Sequence, residues 1–557
     1  MATELANDTM PASRRERRLS ASRRFQLLRR GLSAALLSAT VISLPPLARV
    51  TAAAGAGSAT SRIEAGLAQR MQAAGAGVRF PVVIEAETDP VAAGPGCGGC
   101  GQDAGKVAAA TGKAGGRVTS QLPVLGGATA ELTADQIRAL AEDPAVARIS
   151  FDAPVHAMAD LGAGAAGTPV VYQQAVGATT ANRQGLTGRG VTVAVLDSGI
   201  ADRPELAGRI RSRVDIVTPN APEAGDPGGH GTHVAGVIAA NSPTLKGIAP
   251  DADLASVRVL NADGEGHLST VIRGLEWTIA HKRQLGIKVA VLAISGPPTT
   301  AYLTNPLSTA VEIAWRAGIV VVTAAGNNGP APGSVGVPGN DPLVITVGAA
   351  DDAGTPGRAD DTVAPFSGRG PTYDGIAKPD VVAPGRRIVS LRSPGSTLER
   401  LLPDHLESPS TLRLTGTSMA TSVVAGGAAL LLQQRPDLSP DAVKAILTGS
   451  AWKMAGVSRT EQGAGELDLV AALATHTPTP EAARQHGIPA AGLFHGLLRL
   501  FTTNAQDLNW NNLHWDNLHW DNLHWDNLHW DNLHWNNLHW DDLHWDARLK
   551  WESPGLD

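Results

Sequence analysis

Residues 161–475 predict an α/β domain: an open, mainly parallel sheet with helices on both faces, preceded by a small α+β unit and followed by a low-complexity repeat tail. The first observation is a set of near-continuous apolar runs rich in β-branched residues: VTVAVLD (191–197), ASVRVL (255–260), KVAVLAI (288–294), GIVVVTAA (318–325) and PLVITVGA (342–349). Such runs suit strands buried on both faces of a parallel sheet. The second is helical periodicity between the runs, as where Val271, Ile272, Leu275 and Ile279 share one face. The third is punctuation: Ser439 and Pro440 form a cap and first turn of a helix. In a sheet of this kind, ligands bind beyond the carboxyl ends of the strands.

The segments before the domain follow in order. Residues 1–58 run from a basic stretch (SRRERRLSASRRFQLLRR) through an apolar one to small residues, the order of a secretory signal. Pro45 and Pro46 interrupt the apolar run, and Ser22-Arg23-Arg24-Phe25 has the form of a twin-arginine signal. Residues 59–160 carry their own α+β pattern and read as a removable prosegment. RFPVVIEA is a strand, a Gly-rich stretch with CGGC and AGKVAAATGKAGG follows, and RVTSQLPVLGGATAEL is strand-like around a Gly-Gly turn. Thr133 and Gln136 form a capping box for a short helix that stops before Pro144, and VARISF returns as a strand.

Beyond the domain, residues 476–507 read as a linker whose apolar stretch AAGLFHGLLRLF is too short to span a membrane. Residues 508–546 repeat the unit D-N-L-H-W, with tryptophans from Trp510 to Trp545, and 547–557 end the chain. Leu518, Leu523 and Leu528 partly match the inward position of a pentapeptide-repeat β-helix, but aspartate stands where that fold needs a small residue. The regular indoles and imidazoles suit a cell-surface partner, a surface polymer or metal ions, and a disordered repeat has the same composition. These readings stand side by side.

Composition excludes some classes. With 18% charged residues and a formal net charge of −6, no nucleic-acid partner is expected. Two cysteines, Cys97 and Cys100, cannot make a disulfide scaffold. They suit one local disulfide after export or a redox-sensitive clip better than a thioredoxin-like site, because no βαβ unit surrounds them.

Four residues carry candidate chemistry. Asp197 ends VTVAVLD, Asn327 closes GIVVVTAAGN, and His230 and Ser418 each begin a helix, in HGTHVAG and GTSMATSVVAGG. All four therefore fall at the functional edge of the predicted sheet. A serine hydroxyl needs an adjacent base, which an imidazole with pKa near ~6.5 supplies. That base needs a carboxylate to fix its tautomer and stabilise the imidazolium. An oxyanion formed by attack on a carbonyl needs donors, which the Asn327 amide and the Ser418 backbone N–H provide.

VAVLDSGI, HGTHVAG, AAGN and GTSMAT, in that order, resemble the signature segments of the subtilisin-like serine peptidases, and VRVLNADGEG, FSGRGPT and KPDVVAPG agree. The resemblance implies Asp197, His230 and Ser418 as a triad and Asn327 as the oxyanion donor. It implies that Gly264, Glu265 and Gly266, with Ala293, Ile294, Ser295 and Gly296, clamp an extended protein or peptide substrate. Gly336 would lie at the base of the pocket for the residue before the scissile bond, giving a preference for a large apolar side chain. The unit at 59–160 resembles the inhibitory prosegment of this family, and self-cleavage is expected within 153–168. The product is expected to be secreted, with retention at the cell surface through the tail as the variant reading. NSPTLK (241–246) is shorter than the loop that holds calcium in relatives, so neither a metal nor another cofactor is expected there.

Other residues have plainer readings. His233 is expected to pack structurally, and turn chemistry accounts for Asp263 and Asp380 as well as any functional role. The rival functions are a processing peptidase for one partner and a cell-surface binding protein with a silent peptidase scaffold.

Overall fold

The computed structural model describes residues 62–87, 100–159, 170–219 and 225–487. The signal segment, Cys97, most of the linker and the Trp-rich repeats lie outside the described residues.

The N-terminal unit is a four-stranded antiparallel sheet under helices. In chain order it comprises α1 (Ala65–Ala73), β1 (Arg79–Ala86), α2 (Cys100–Lys113), β2 (Val118–Leu122), β3 (Gly127–Thr133), α3 (Ala134–Ala141) and β4 (Val146–Phe151), with strands ordered β2-β3-β1-β4. The capping box at Thr133 and Gln136 is present. The stretch read only as Gly-rich forms α2 from Cys100 onward. Ala104, Val107, Ala110 and Thr111 form its buried stripe at helical spacing, while Gly101, Gly105 and Gly112 face open space. Alanine propensity and that stripe outweigh the glycines.

The main sheet is built from β6 (Thr192–Asp197), β7 (Ile210–Asp215), β8 (Asp253–Arg258), β10 (Ile287–Leu292), β12 (Val320–Ala324), β13 (Ile345–Asp351), β14 (Thr362–Val363) and β15 (Val381–Pro384). Its order is β14-β13-β12-β10-β6-β8-β7 with β15 also against β13, and all pairs are parallel except β13–β14. The chain builds outward in opposite directions from β6, so the switch point of the sheet lies at the end of that strand, where a crevice forms. Packed around it are α4 (His230–Ala239), α5 (Leu268–Leu285), α6 (Pro306–Arg316), α7 (Thr417–Gln434) and α8 (Pro440–Gly449). In α7 every residue from Thr417 to Leu432 is buried, as expected for a helix apolar all round that crosses the core. The ordered domain runs past residue 475. Helix α9 (Pro480–Gly487) seats Ala483 against Ala442 and Ala445 of α8, so the linker reading begins too early.

Two small antiparallel sheets complete the fold. One places β5 (Pro154–Ala157) between β9 (Glu265–His267) and β11 (Ile294–Ser295). The other comprises β16 (Ile388–Leu391), β17 (Leu406–Ser408) and β18 (Thr411–Leu414) in the order β16-β18-β17.

Two clusters of buried charge among the described residues lie outside the Asp197–His230 junction. Asp380 is not explained by turn chemistry: it is the counterion of two buried lysines, Lys378 at 2.6 Å and Lys444 at 3.1 Å. Both ammonium groups also donate to main-chain carbonyls, Lys378 to Val344 and Lys444 to Pro342 and Val344, so none of these buried groups is left unpaired. The second place is Glu466, fully buried beside Asp361. Burial, followed by the hydrogen bond to Asp361 and its charge, pushes the Glu466 carboxyl up to about 9. A carboxyl whose folded pKa is raised keeps its proton where the unfolded chain has lost it, so stability falls as pH rises from about 4.5 to about 9. Glu466→Gln keeps the shape and removes the titration. Its melting temperature relative to wild type should therefore climb through that window, by up to about 1.4 kcal/mol per pH unit in stability. Thermal melts at pH 5, 7 and 9 check this, and a difference independent of pH contradicts it.

Candidate active site

Parallel pairing to β8 and β10 on both sides buries β6 and leaves Asp197 at its carboxyl end with no exposure. A buried carboxylate must be hydrogen-bonded. Asp197 Oδ1 accepts the Ser198 N–H at 2.7 Å, and His230 Nδ1 lies 2.9 Å from both Asp197 oxygens. His230 is the first residue of α4, which brings its ring to the end of β6. Burial lowers the pKa of this imidazole, but the neighbouring Asp197 carboxylate, its hydrogen bond and the charge of Asp226 more than offset it, so the net shift is upward. With Nδ1 donating to Asp197, Nε2 is the nitrogen free to take a proton, and it is buried without a hydrogen-bond partner.

Ser418 is the second residue of α7, and its backbone N–H is one of the donors that a helix leaves unpaired at its N-terminus. Its Oγ donates to the Ala293 carbonyl at 2.8 Å and accepts the Met158 N–H at 3.1 Å, so the hydroxyl is turned from His230 Nε2 while Met158 occupies the cleft. Asn327 lies three residues beyond β12. Its Oδ1 accepts both the N–H and the Oγ–H of Thr417, at 3.0 and 2.9 Å. This fixes the amide so that Nδ2 is left to donate. Of the four residues read from the sequence as one constellation, Asp197 and His230 are thus paired directly, and Asn327 is bonded to Thr417, the residue before Ser418.

The remaining sequence-predicted positions other than Gly336 flank β5. Val155 pairs with Gly266 and His156 with Glu265 on one side, while His156 pairs with Ser295 and Ala157 with Ile294 on the other. The Ala157 N–H donates to Gly264 O at 2.9 Å and the Met158 N–H to Ala293 O at 3.3 Å. Val155 is fully buried. Its methyls lie 3.5 and 3.3 Å from where a Cβ on Gly266 or Gly296 would sit, so these glycines make its pocket. The Met158 carbonyl faces the Ser418 N–H across 3.5 Å. A Cβ on Gly416 would stand 2.0 Å from that carbonyl oxygen. Gly336 is required by its own neighbours, since a Cβ there would lie 2.2 Å from both Gly296 O and Ser295 Oγ.

Some expectations resolve here. His233 packs structurally, its Nε2 donating to the carbonyls of Ile388 and Leu412 at 3.1 and 3.0 Å, and burial with nearby His230 pulls its pKa down to about 3. Asp263 belongs to a turn organised by the Asn261 carboxamide. The loop 241–246 closes on itself through the Asn241–Lys246 bridge and the Ser242 N–H to Leu245 O bond. Among the described residues no group of three or more His, Cys, Asp or Glu side chains is arranged to hold a metal.

The sequence reading missed β5 and two polar residues under the triad, Ser198 and Asp226. Ser198 Oγ donates to Asp226 Oδ1 at 2.8 Å. Asp226 sits in the run GDPGGH leading into α4, and a carboxylate just ahead of a helix whose cap is glycine was the available signal.

The close approach at Gly416 yields a direct test. Gly416→Ala should leave the fold intact by circular dichroism while lowering kcat/KM by about 100-fold or more, since displacing an acyl group by about 1 Å has that cost. Activity within about threefold of wild type would contradict the placement of the carbonyl.

The subtilase family profile matches residues 188–493. Serine protease AprX of Bacillus subtilis is 45% identical over 296 residues, covering 52% of this chain and 67% of that protein. Alkaline protease of Alkalihalobacillus alcalophilus is 38% identical over 332 residues, covering 59% and 74%. The fold is similar to that of fervidolysin from Fervidobacterium pennivorans, a keratinolytic enzyme related to subtilisin. The TM-score is 0.55 at 23% identity, over 72% of this chain and 62% of that one. With an open parallel sheet, a buried Asp–His pair beside a helix-borne serine, and these relatives, the chain belongs to the subtilase family and is a serine-type endopeptidase.

Proposed function

We propose that this endopeptidase is an exported zymogen in which residues 62–158 inhibit the enzyme and are released by cleavage of the Met158–Ala159 bond. The observation that carries the proposal is the path of β5 and Met158. They run antiparallel between β9 and β11 and present a peptide carbonyl to Ser418. An inhibitor and a substrate use the same bonds here, because strand addition recognises backbone whatever the side chains. The N-terminal unit also docks away from the cleft. Leu122 and Leu125 are buried in the main core, and the Val124 N–H donates to Glu276 of α5 at 3.0 Å. The cap of α5 is His267, whose side chain makes no cap bond, and Asp152 accepts the Ser269 N–H and Oγ–H instead, at 2.9 and 2.6 Å.

The geometry supports the following chemistry. Ser418 Oγ turns to His230 Nε2, gives up its proton and attacks the carbonyl carbon, while Asp197 holds the imidazolium. The oxyanion is met by the Ser418 N–H and by Asn327 Nδ2. His230 returns the proton to the leaving amine, and the C–N bond breaks to leave an acyl-Ser418 ester. Water, deprotonated by His230, then hydrolyses the ester. No metal or cofactor takes part in these steps.

The segment that lies in the cleft also indicates preference. Val155 fills an apolar pocket, exposed His156 is unselected, small Ala157 approaches Gly264, and the long apolar Met158 stands before the scissile bond. Substrates of the form Val-X-Ala-Met are therefore favoured. Export is supported by the order of charge and apolarity in residues 1–58.

Two measurements test this reading. Sequencing of the secreted wild-type product should begin at Ala159, and Ser418→Ala should accumulate uncut precursor with no caseinolysis. A mature terminus elsewhere, or a maturing alanine variant, overturns the assignment. Among fluorogenic peptides, replacing Val by Asp in Val-X-Ala-Met should cut kcat/KM by about tenfold or more, since losing one buried aliphatic contact and burying a charge both cost binding. Equal rates would remove the Val155 pocket from specificity.

A further inference from the structure

Asp226 is buried, and all four of its side-chain hydrogen bonds join two elements of the site. Oδ1 accepts from Ser198 Oγ at 2.8 Å and from the Gly229 N–H at 2.7 Å. Oδ2 accepts from the Thr232 N–H at 2.8 Å and from Thr232 Oγ1 at 2.6 Å. Ser198 directly follows Asp197, and its Oγ accepts the Gly231 N–H at 3.0 Å. One carboxylate therefore links the end of β6, where Asp197 sits, to the first turn of α4, which begins at His230.

The reason lies at the helix cap. Gly229 holds the cap position at φ 95°, and a Cβ there would stand 2.5 Å from Ser396 Oγ. The cap can carry no side chain, so the acceptor that Ser, Thr, Asp or Asn would supply must come from elsewhere. Asp226 supplies it from three residues upstream, reaching the Thr232 N–H that an ordinary cap would take. Its segment is held in turn from outside. Ser393 Oγ donates to Asp226 O at 2.7 Å, and the N–H groups of Thr397 and Leu398 donate to Pro227 O and Gly228 O at 2.9 and 3.1 Å.

We propose that Asp226 is a positioning residue for His230, locking the first turn of α4 to the end of β6 and placing a second negative charge near the imidazolium formed during catalysis. The proposal rests on His230 being the general base. The charged and titratable groups that act on His230 are Asp197, which pairs with Nδ1, Asp226 beneath the helix start, and His233 one turn on, which is neutral in the working range. Removing the Asp226 charge leaves Asp197 alone to favour the protonated ring.

Asp226→Asn is nearly isosteric and removes the charge and one acceptor. With active sites counted by a fluorophosphonate probe on mature enzyme, kcat should fall about 10- to 100-fold while KM stays within about twofold, as expected when a catalytic group is misaligned. The acid limb of kcat/KM should move to lower pH by about half a unit or more. Unchanged kcat, or a loss of kcat with an unmoved acid limb, overturns the proposal. If the asparagine variant does not fold, Ser198→Ala tests the same link, since it removes the Ser198 Oγ bonds to Asp226 and from the Gly231 N–H while leaving the three bonds of Asp226 to Gly229 and Thr232. It should lower kcat without raising KM, and a wild-type kcat overturns the link. Ser418→Ala is the control for the reading beneath: if it retains activity, the triad assignment fails, whereas an inactive Ser418→Ala beside a fully active Asp226→Asn refutes positioning alone.

Discussion

The buried hydrogen bonds between Asp197 and His230 are the constraint on which the site depends. Both side chains are almost wholly withdrawn from solvent, so each must find its partners within the protein. That requirement fixes the end of β6 against the start of α4, and Ser198, Asp226 and Thr232 bond to one another across the same junction. The central position of β6 gives this junction rigid support on both sides, because β8 and β10 pair with it in parallel. Burial alone would weaken His230 as a base, and the two nearby carboxylates reverse that effect. The ring is thereby held in one tautomer with its other nitrogen facing the cleft.

Around this junction, glycine acts by absence. Gly416 leaves room for the Met158 carbonyl, Gly266 and Gly296 leave room for the Val155 side chain, and Gly229 leaves room for Ser396. In each case the space is defined by another chain segment or by β5, and an added methyl would meet backbone or a packed side chain. β5 is held by backbone on both sides, through antiparallel pairing to β9 and β11, a mode of pairing that does not depend on side-chain identity. Within β5, Val155 is the fully buried side chain.

Much of the fold was legible because its signals are local and repeated. The β-branched runs at β6, β8, β10, β12 and β13 state a parallel sheet directly, and the caps at Thr133 and Ser439 mark their helices. Helix α2 was not assigned because its glycines dominate the local composition, although the stripe of Ala104, Val107 and Ala110 was present. Asp380 was misread because its partners Lys378 and Lys444 include one 64 residues away in sequence (444 − 380), and nothing local reveals a buried ion pair. Strand β5 was missed because four residues with a proline at the start carry almost no propensity signal, and its pairing partners come from distant segments.

The sequence by itself determined the class of chemistry. Asp197, His230, Asn327 and Ser418 lie at strand ends and helix starts, and those local contexts can be read from residue pattern alone. Only the tertiary structure decided which groups surround them: that Asp226 caps the helix of His230, that Met158 presents its carbonyl to Ser418, and that Gly336 is demanded by Gly296 and Ser295. The physical reason is that element identity follows from short-range periodicity and capping, whereas burial, hydrogen-bond partners and excluded volume depend on segments brought together from across the chain.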